Sequence, residues 1–228
     1  MDFSGLPDRL ALIRETISAG QRAGGWTHPV EIVAVTKGHG PEAVRVAVAA
    51  GLTVVGENRV QEALAKQEAV GSLPVLWHLI GTLQRNKARQ AVGRFALIHS
   101  VDRLDLAQEI GRRLTAPLRQ SVLVQVNCSN ELQKGGVEPA GLPELLEQVA
   151  GAPGVDVRGL MTMAAFDADA AAQHRAFGLL RRLRDEAMAR GRCGPELSMG
   201  MSGDYRVAVE EGATMVRLGT LLFGERIP

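Results

Sequence analysis

Aromatic residues make up only 4% of the 228 positions, and Tyr205 is the single tyrosine. So sparse a supply argues against a base-stacking platform for nucleic acid. An excess of one charge is missing as well. The formal net charge of +1 supplies no field for nucleic acid or an anionic membrane, so any anion must be held locally. The two cysteines, Cys128 and Cys193, have neither metal-ligand spacing nor a framework of pairs. That pattern predicts reduced thiols in a cytoplasmic protein. The opening Met1-Asp2-Phe3-Ser4-Gly5 lacks a basic segment followed by an apolar one, so no signal peptide is expected. No apolar run approaches membrane-spanning length. No Gly-, Ser- or Pro-rich linker divides the sequence, which predicts one domain over residues 1–228.

Lysine is the other scarcity. Only Lys37, Lys66, Lys87 and Lys134 occur, and the remaining basic residues are arginine. Lys37 closes the apolar run Val30-Glu31-Ile32-Val33-Ala34-Val35-Thr36-Lys37-Gly38, which reads as a buried strand entering a glycine turn. A lysine amine can lose its proton when desolvated and attack an aldehyde, whereas arginine stays protonated. The plainer role is a snorkelling side chain whose head stays in solvent.

Short apolar runs alternate with amphipathic segments along the whole sequence. The spacing predicts strands over 30–37, 53–57, 74–80, 96–101, 121–127, 156–162, 196–201 and 214–218. Helices are predicted over 41–50, 59–70, 86–93, 103–114, 141–150, 168–190 and 204–211. Another helix precedes the first strand, where Leu6, Leu10, Ile13 and Ile17 share one face. Strands with helical crossovers imply a parallel sheet, and eight close a (β/α)8 TIM-type barrel. The expected fold class is therefore α/β, a single barrel with an extra N-terminal helix; an open doubly wound sheet is the alternative.

A barrel gathers its functional groups at the C-terminal ends of its strands. Lys37, Glu57, Asn58, Asp102, Asn127, Ser202 and the segment Arg217–Thr220 all occupy such positions. Ser202-Gly203-Asp204 and Arg217-Leu218-Gly219-Thr220 follow strands seven and eight, where barrel enzymes often hold a phosphate. The simpler roles are helix capping by Ser202 or Asp204 and a turn at Gly219. Asn58 can cap the helix after strand two or bond a ligand. Met201 can fill the core or line a ligand ring. His78, alternating with Trp77 and Leu79, is more often a satisfied core group than a ligand contact. Arg85, Lys87 and Arg89 form a basic cluster too short for a nucleic-acid surface, and the polar segment 127–136 is a lid or a plain surface loop.

An imine-forming lysine with a phosphate cup suits either pyridoxal 5′-phosphate or a Schiff-base aldolase acting on a sugar phosphate. Val35-Thr36-Lys37, Gly56-Glu57-Asn58-Arg59-Val60-Gln61-Glu62, the stretch from Trp77 to Lys87, His99-Ser100-Val101-Asp102, Ser198-Met199-Gly200-Met201-Ser202 and Arg217-Leu218-Gly219-Thr220 decide between them. Together they resemble the pyridoxal phosphate homeostasis proteins, a family similar to the N-terminal barrel of alanine racemase. The resemblance implies a cofactor held as an internal aldimine on Lys37, with Arg217 facing the pyridine nitrogen. It places Ser202, Gly219 and Thr220 at the phosphate, with Asn58 and Met201 as further cofactor contacts. Thr36 and Arg59 stand where the family commonly has serine and tyrosine. It further implies a monomeric, non-catalytic carrier that stores the cofactor and passes it to apo-enzymes that need it. An amino-acid racemase is the alternative. Against it, the sequence ends at Pro228 just past the eighth strand, which predicts no second domain to close an active site.

Overall fold

The computed structural model describes residues 3–131, 135–165 and 167–225. Eight parallel strands close into a barrel in sequence order. They are β1 (Glu31–Val35), β2 (Val54–Glu57), β3 (Leu76–Leu79), β4 (Leu97–Val101), β5 (Gln120–Gln125), β6 (Val155–Met161), β7 (Glu196–Ser198) and β8 (Met215–Leu218). Closure is made by β1 against β8, with Glu31 opposite Met215 and Ala34 opposite Leu218. The barrel alternative is thus the correct one, and the open sheet is not.

Alternation assigns the two faces of each strand. Ile32 and Ala34 of β1, Val55 of β2 and Val216 of β8 face outward into the large core beneath the helices. Val33, Val54, Leu97, Leu123, Met161 and Met215 face inward and form a small apolar plug inside the barrel. Such a filled interior makes the barrel a core and not a pore. Two residues further along the same strands, the inward positions turn polar: His99 after Leu97, Gln125 after Leu123, and Arg217 after Met215. All three are buried.

The outer layer comprises α2 (Pro41–Ala49), α3 (Val60–Val70), α4 (Ala88–Ala91), α5 (Leu104–Gly111), α6 (Leu142–Ala150), α7 (Ala170–Ala189), α8 (Tyr205–Glu210) and α9 (Thr220–Phe223). Asp169 caps α7 through Oδ1, which accepts the Ala172 N–H at 2.7 Å. The expected N-terminal helix is α1 (Leu6–Gly24), and it buries Leu6, Leu10, Ile13 and Ile17. Its Arg9 donates through Nε and Nη2 to the Leu222 carbonyl of α9, at 3.0 and 2.8 Å. The extra helix therefore steadies the segment that follows β8.

Most element ends shift by one to three residues from the sequence reading, and three departures change an element itself. The predicted strand 196–201 shortens to Glu196–Ser198, because Gly200 adopts φ 91° and turns the chain. The helix expected over 86–93 becomes a 3₁₀ turn, Arg85–Lys87, followed by Ala88–Ala91. Helix α9 (Thr220–Phe223) begins at the last residue of the expected phosphate segment and has no counterpart among the predicted helices. Among the described residues no helix is long and apolar enough to cross a membrane.

Candidate ligand site at the C-terminal mouth of the barrel

Val33, Val35 and Lys37 alternate along β1 and its extension, so the Lys37 side chain leaves the strand on the barrel-interior face. There it lines a cavity of about 450 Å³ at the C-terminal mouth. Asn58, Met201, Ser202, Arg217, Gly219 and Thr220 line the same cavity, so the seven residues expected to contact a cofactor meet in one place. The strand ends of the barrel other than β4 all contribute to the wall. A volume of this size falls within the roughly 300–1,000 Å³ typical of small-molecule sites. A larger groove, about 810 Å³, lies beside α1 and α2, but among the described residues its only charged lining residue is Glu42. Those residues offer neither amine nor cation for an aldehyde or a phosphate.

Lys37 is framed by a buried polar network on the outer side of β2. Lys66, on α3, donates to the Thr36 carbonyl at 2.7 Å, to Glu57 Oε1 at 2.6 Å and to Glu62 Oε1 at 2.9 Å. Glu57 Oε1 also accepts the Thr36 hydroxyl at 2.5 Å, and Glu62 Oε1 accepts the Gly38 N–H at 2.9 Å. The residues immediately before and after Lys37 are thereby fixed by one ammonium group. Thr36, in place of serine, keeps the hydroxyl that this network uses. Burial pushes the Glu57 carboxyl above its ordinary value, while its hydrogen bonds from Lys66 and Thr36 pull the other way. Burial also raises Glu62, but the Gly38 N–H and Lys66 outweigh it and hold that carboxyl below its usual range.

Asn58 does not cap α3. The N-cap position is Arg59, and no side-chain cap is formed. Gly81 comes so close to the Asn58 backbone that a Cβ there would overlap the Asn58 carbonyl oxygen. The loops after β2 and β3 are thus pressed together, with Asn58, Gly81 and Thr82 all on the cavity wall.

Opposite, the loop after β7 folds back over α8. Gly200 allows this twice: its φ of 91° suits glycine, and a Cβ would sit 2.6 Å from that of Ala208. Asp204 Oδ1 accepts the Met201 N–H, which closes the turn that displays Ser202. Ser202 Oγ accepts the Leu221 N–H at 3.4 Å, so the hydroxyl links the β7 and β8 loops. Neither Ser202 nor Asp204 caps α8 with its side chain.

Arg217 is 4% exposed and donates to Ser198 Oγ at 2.7 Å and to the Thr162 carbonyl at 3.0 Å. Among the described residues it forms no ion pair with a carboxylate. Burial lowers its pKa to about 10, with Asp204 pushing back, so the group remains a cation at neutral pH. A desolvated guanidinium is costly unless hydrogen bonds, a nearby carboxylate or a ligand engage it.

Several sequence candidates lie elsewhere. Asp102 pairs with Arg103 at 2.7 Å, and Asn127 Nδ2 donates to the Glu131 carbonyl and Glu138 Oε1 at 3.1 and 3.2 Å. His78 is buried and does not line the cavity. Nor do Arg85, Lys87 and Arg89, and Arg85 faces Glu109 at 3.8 Å. Lys134 lies outside the described residues. Cys128 and Cys193 are unpaired, and burial raises both thiols to about 11, which leaves them poor nucleophiles. Sequence reasoning missed Gln125 and Gln173 on the cavity wall and the role of Lys66. Lys66 carried a signal: with Val60, Ala63 and Val70 it falls on the buried face of α3.

The barrel and its mouth match the family model for the alanine racemase N-terminal domain over residues 11–227. Within that class the resemblance narrows: the chain belongs to the pyridoxal phosphate homeostasis protein family. It is 46% identical over 222 residues to the pyridoxal phosphate homeostasis protein of Aquifex aeolicus, covering 96% of this chain and 97% of that one. The solved structure of PipY from Synechococcus elongatus without PLP superposes with a TM-score of 0.86 at 40% identity. The structure of the same protein with PLP bound gives 0.83 at 39% identity, and in both cases 96% of this chain and 100% of PipY are covered.

Proposed function

We propose that this protein binds pyridoxal 5′-phosphate at the barrel mouth, with Lys37 as the covalent anchor, and serves the cell as a carrier. The observation that carries this reading is the donor set of the cavity. One lysine amine, one buried guanidinium, and the hydroxyl-bearing residues Ser202 and Thr220 line the same small space. An aldehyde, a pyridine nitrogen that accepts a hydrogen bond, and a phosphate are the three groups this set complements. When bound, the cofactor supplies an aldehyde that condenses with an amine. Lys37 provides that amine. Arg217 would donate to the ring nitrogen, Ser202 and Thr220 with Gly219 would hold the phosphate, and Asn58 and Met201 would be further contacts to the cofactor.

The same lining supports storage over turnover. Its titratable groups among the described residues are Lys37, Asp204 and Arg217, and Asp204 is engaged with the Met201 N–H. Racemisation needs an acid and a base on opposite faces of the substrate, and Tyr205 does not line the cavity. Transfer to apo-enzymes, a cytoplasmic setting for the unpaired thiols, and a monomeric state complete the proposal.

The test is spectroscopic and chemical. Purified protein with pyridoxal phosphate should show a visible absorbance band that borohydride abolishes, leaving the added mass on the peptide containing Lys37. In Lys37→Ala the band and the adduct should both be lost, with far-ultraviolet circular dichroism unchanged. A reducible adduct that persists in the variant on any other lysine would overturn the anchor.

A further inference from the structure

A buried chain of side chains runs beneath the cavity from β3 to β8. His78 Nδ1 lies 3.1 Å from His99 Nε2, and His99 Nδ1 lies 2.9 Å from Ser198 Oγ. Ser198 Oγ in turn accepts from Arg217 Nη1 at 2.7 Å. The His99–Ser198 contact spans the barrel interior, from β4 to β7. His78, His99, Ser198 and Arg217 are all at least nine-tenths buried.

The direction of the proton donors follows from the arginine. Guanidinium is a donor only, so one Ser198 lone pair is taken. Among the described residues Ser198 Oγ has two partners, Arg217 and His99. If His99 Nδ1 carried a proton, Ser198 would accept twice and its own hydroxyl hydrogen would be stranded, at a cost of about 1–3 kcal/mol. If Ser198 donates to His99 Nδ1, every bond is made. His99 is then protonated at Nε2 and donates to His78 Nδ1, which leaves the His78 proton on Nε2. Burial keeps both imidazoles neutral: His78 is lowered to about 4, and His99 falls well below its ordinary value, with His78 and Arg217 adding to the effect.

We propose that Ser198, His99 and His78 are positioning residues for Arg217, forming a one-way relay that holds the guanidinium in a single orientation toward the ligand. The relay acts only through Arg217 and touches no ligand atom. Its functional end rests on the pyridoxal phosphate reading, but its structure can be tested without any ligand.

The first measurement is ¹⁵N NMR of the ligand-free protein with labelled histidine and arginine. Both His78 and His99 should be neutral with the proton on Nε2 at pH 7. An Nδ1-protonated or cationic His99 would overturn the relay. The second compares His99→Gln, whose amide can accept from Ser198 and donate to His78, with His99→Leu, which can do neither. The Arg217 side-chain N–H signals should stay sharp and slow to exchange in wild type and His99→Gln, and should broaden or vanish in His99→Leu. Pyridoxal phosphate affinity should fall at least tenfold in His99→Leu and stay within about threefold in His99→Gln. Equal behaviour of the two variants would mean that His99 only fills space, and the positioning role would fall. If wild type failed to bind pyridoxal phosphate, the ligand reading would fail alone, because the tautomers and the Arg217 signals decide the relay independently.

Discussion

Lys66 Nζ lies 2.6 Å from Glu57 Oε1, and both side chains are buried between β2 and α3. This pair, with Glu62, grips the backbone on both sides of Lys37. A buried ion pair is weak support for stability when compared with an apolar substitute, but removing one partner strands the other charge. Lys66→Met should therefore lower the unfolding free energy by about 3–5 kcal/mol in urea titrations. Lys66→Met combined with Glu57→Gln should lose clearly less than the sum of the single changes, because the fully buried Glu57 carboxylate is removed together with its ammonium partner. Borohydride trapping on Lys37 should also become incomplete in Lys66→Met, since Thr36 and Gly38 lose their shared anchor. Strict additivity in the cycle would show that the two groups act independently.

Ser202, in the loop after β7, and Thr220, at the start of α9, line the cavity. Each charge-assisted hydrogen bond to a phosphate is worth roughly 1.5–3 kcal/mol. Replacing both residues with alanine should weaken pyridoxal phosphate far more than unphosphorylated pyridoxal, measured by equilibrium absorbance titration of the two ligands. Equal losses would mean that Ser202 serves the turn through its bond to Leu221 and has no phosphate role.

Most of the architecture was legible because alternation and helical period are set by burial. Val33, Val35 and Lys37 share a face by strand geometry, and the apolar stripe of α1 appears at spacings of four, three and four. The convergence of Lys37, Ser202 and Thr220 followed once eight strands were counted. What sequence could not supply was the cross-barrel partner of each inward polar residue. His78 and His99 are separated by 21 positions, and His99 and Ser198 by 99, so no local pattern pairs them. Of the two roles open to Asn58, capping does not form, because cap preference is a local rule and the close approach of Gly81 is a tertiary one. Helix α9 is too short to show a period, and it stands because α1 holds its end through Arg9.

Acid should destabilise the protein through its buried histidines. His78 is neutral when folded, with its pKa lowered to about 4, whereas in the unfolded chain it titrates near 6.5. Between these values the unfolded chain binds more protons. The contribution of this residue is fully present above pH 6.5 and is lost as the pH falls toward 4. The slope is about 1.4 kcal/mol per pH unit, or about 3 kcal/mol over the window. His99 shifts in the same direction, mainly through burial and further through His78 and Arg217. Glu31 and Glu57, both raised by burial, oppose the trend as they protonate. The histidine part is therefore read by difference. Urea midpoints from pH 7.5 to 4.5 should fall more steeply in wild type than in His78→Phe, and parallel curves would show that His78 takes up its proton as readily in the native protein as in the unfolded chain.

The last prediction concerns chemistry on amino acids. Arg217 faces the cavity as a buried cation that keeps its proton at any working pH, with a pKa of about 10 even after burial lowers it. Arginine can donate a hydrogen bond to a pyridine nitrogen but cannot readily surrender a proton to it. A ring nitrogen left unprotonated withdraws electrons weakly from a carbon being deprotonated, in contrast to a ring paired with a carboxylic acid. The relay through Ser198 and His99 offers no remedy, since both imidazoles are neutral and the donors run away from Arg217. Among the described residues, no tyrosine or histidine lines the cavity to take the α-proton. D- and L-alanine, incubated with the cofactor-loaded protein in deuterium oxide, should therefore retain their α-hydrogen in NMR spectra, while the same preparation restores activity to a pyridoxal phosphate-dependent apo-enzyme. Exchange into both enantiomers at ordinary enzyme rates, on the order of 1–1000 per second, would overturn the carrier and put a racemase in its place.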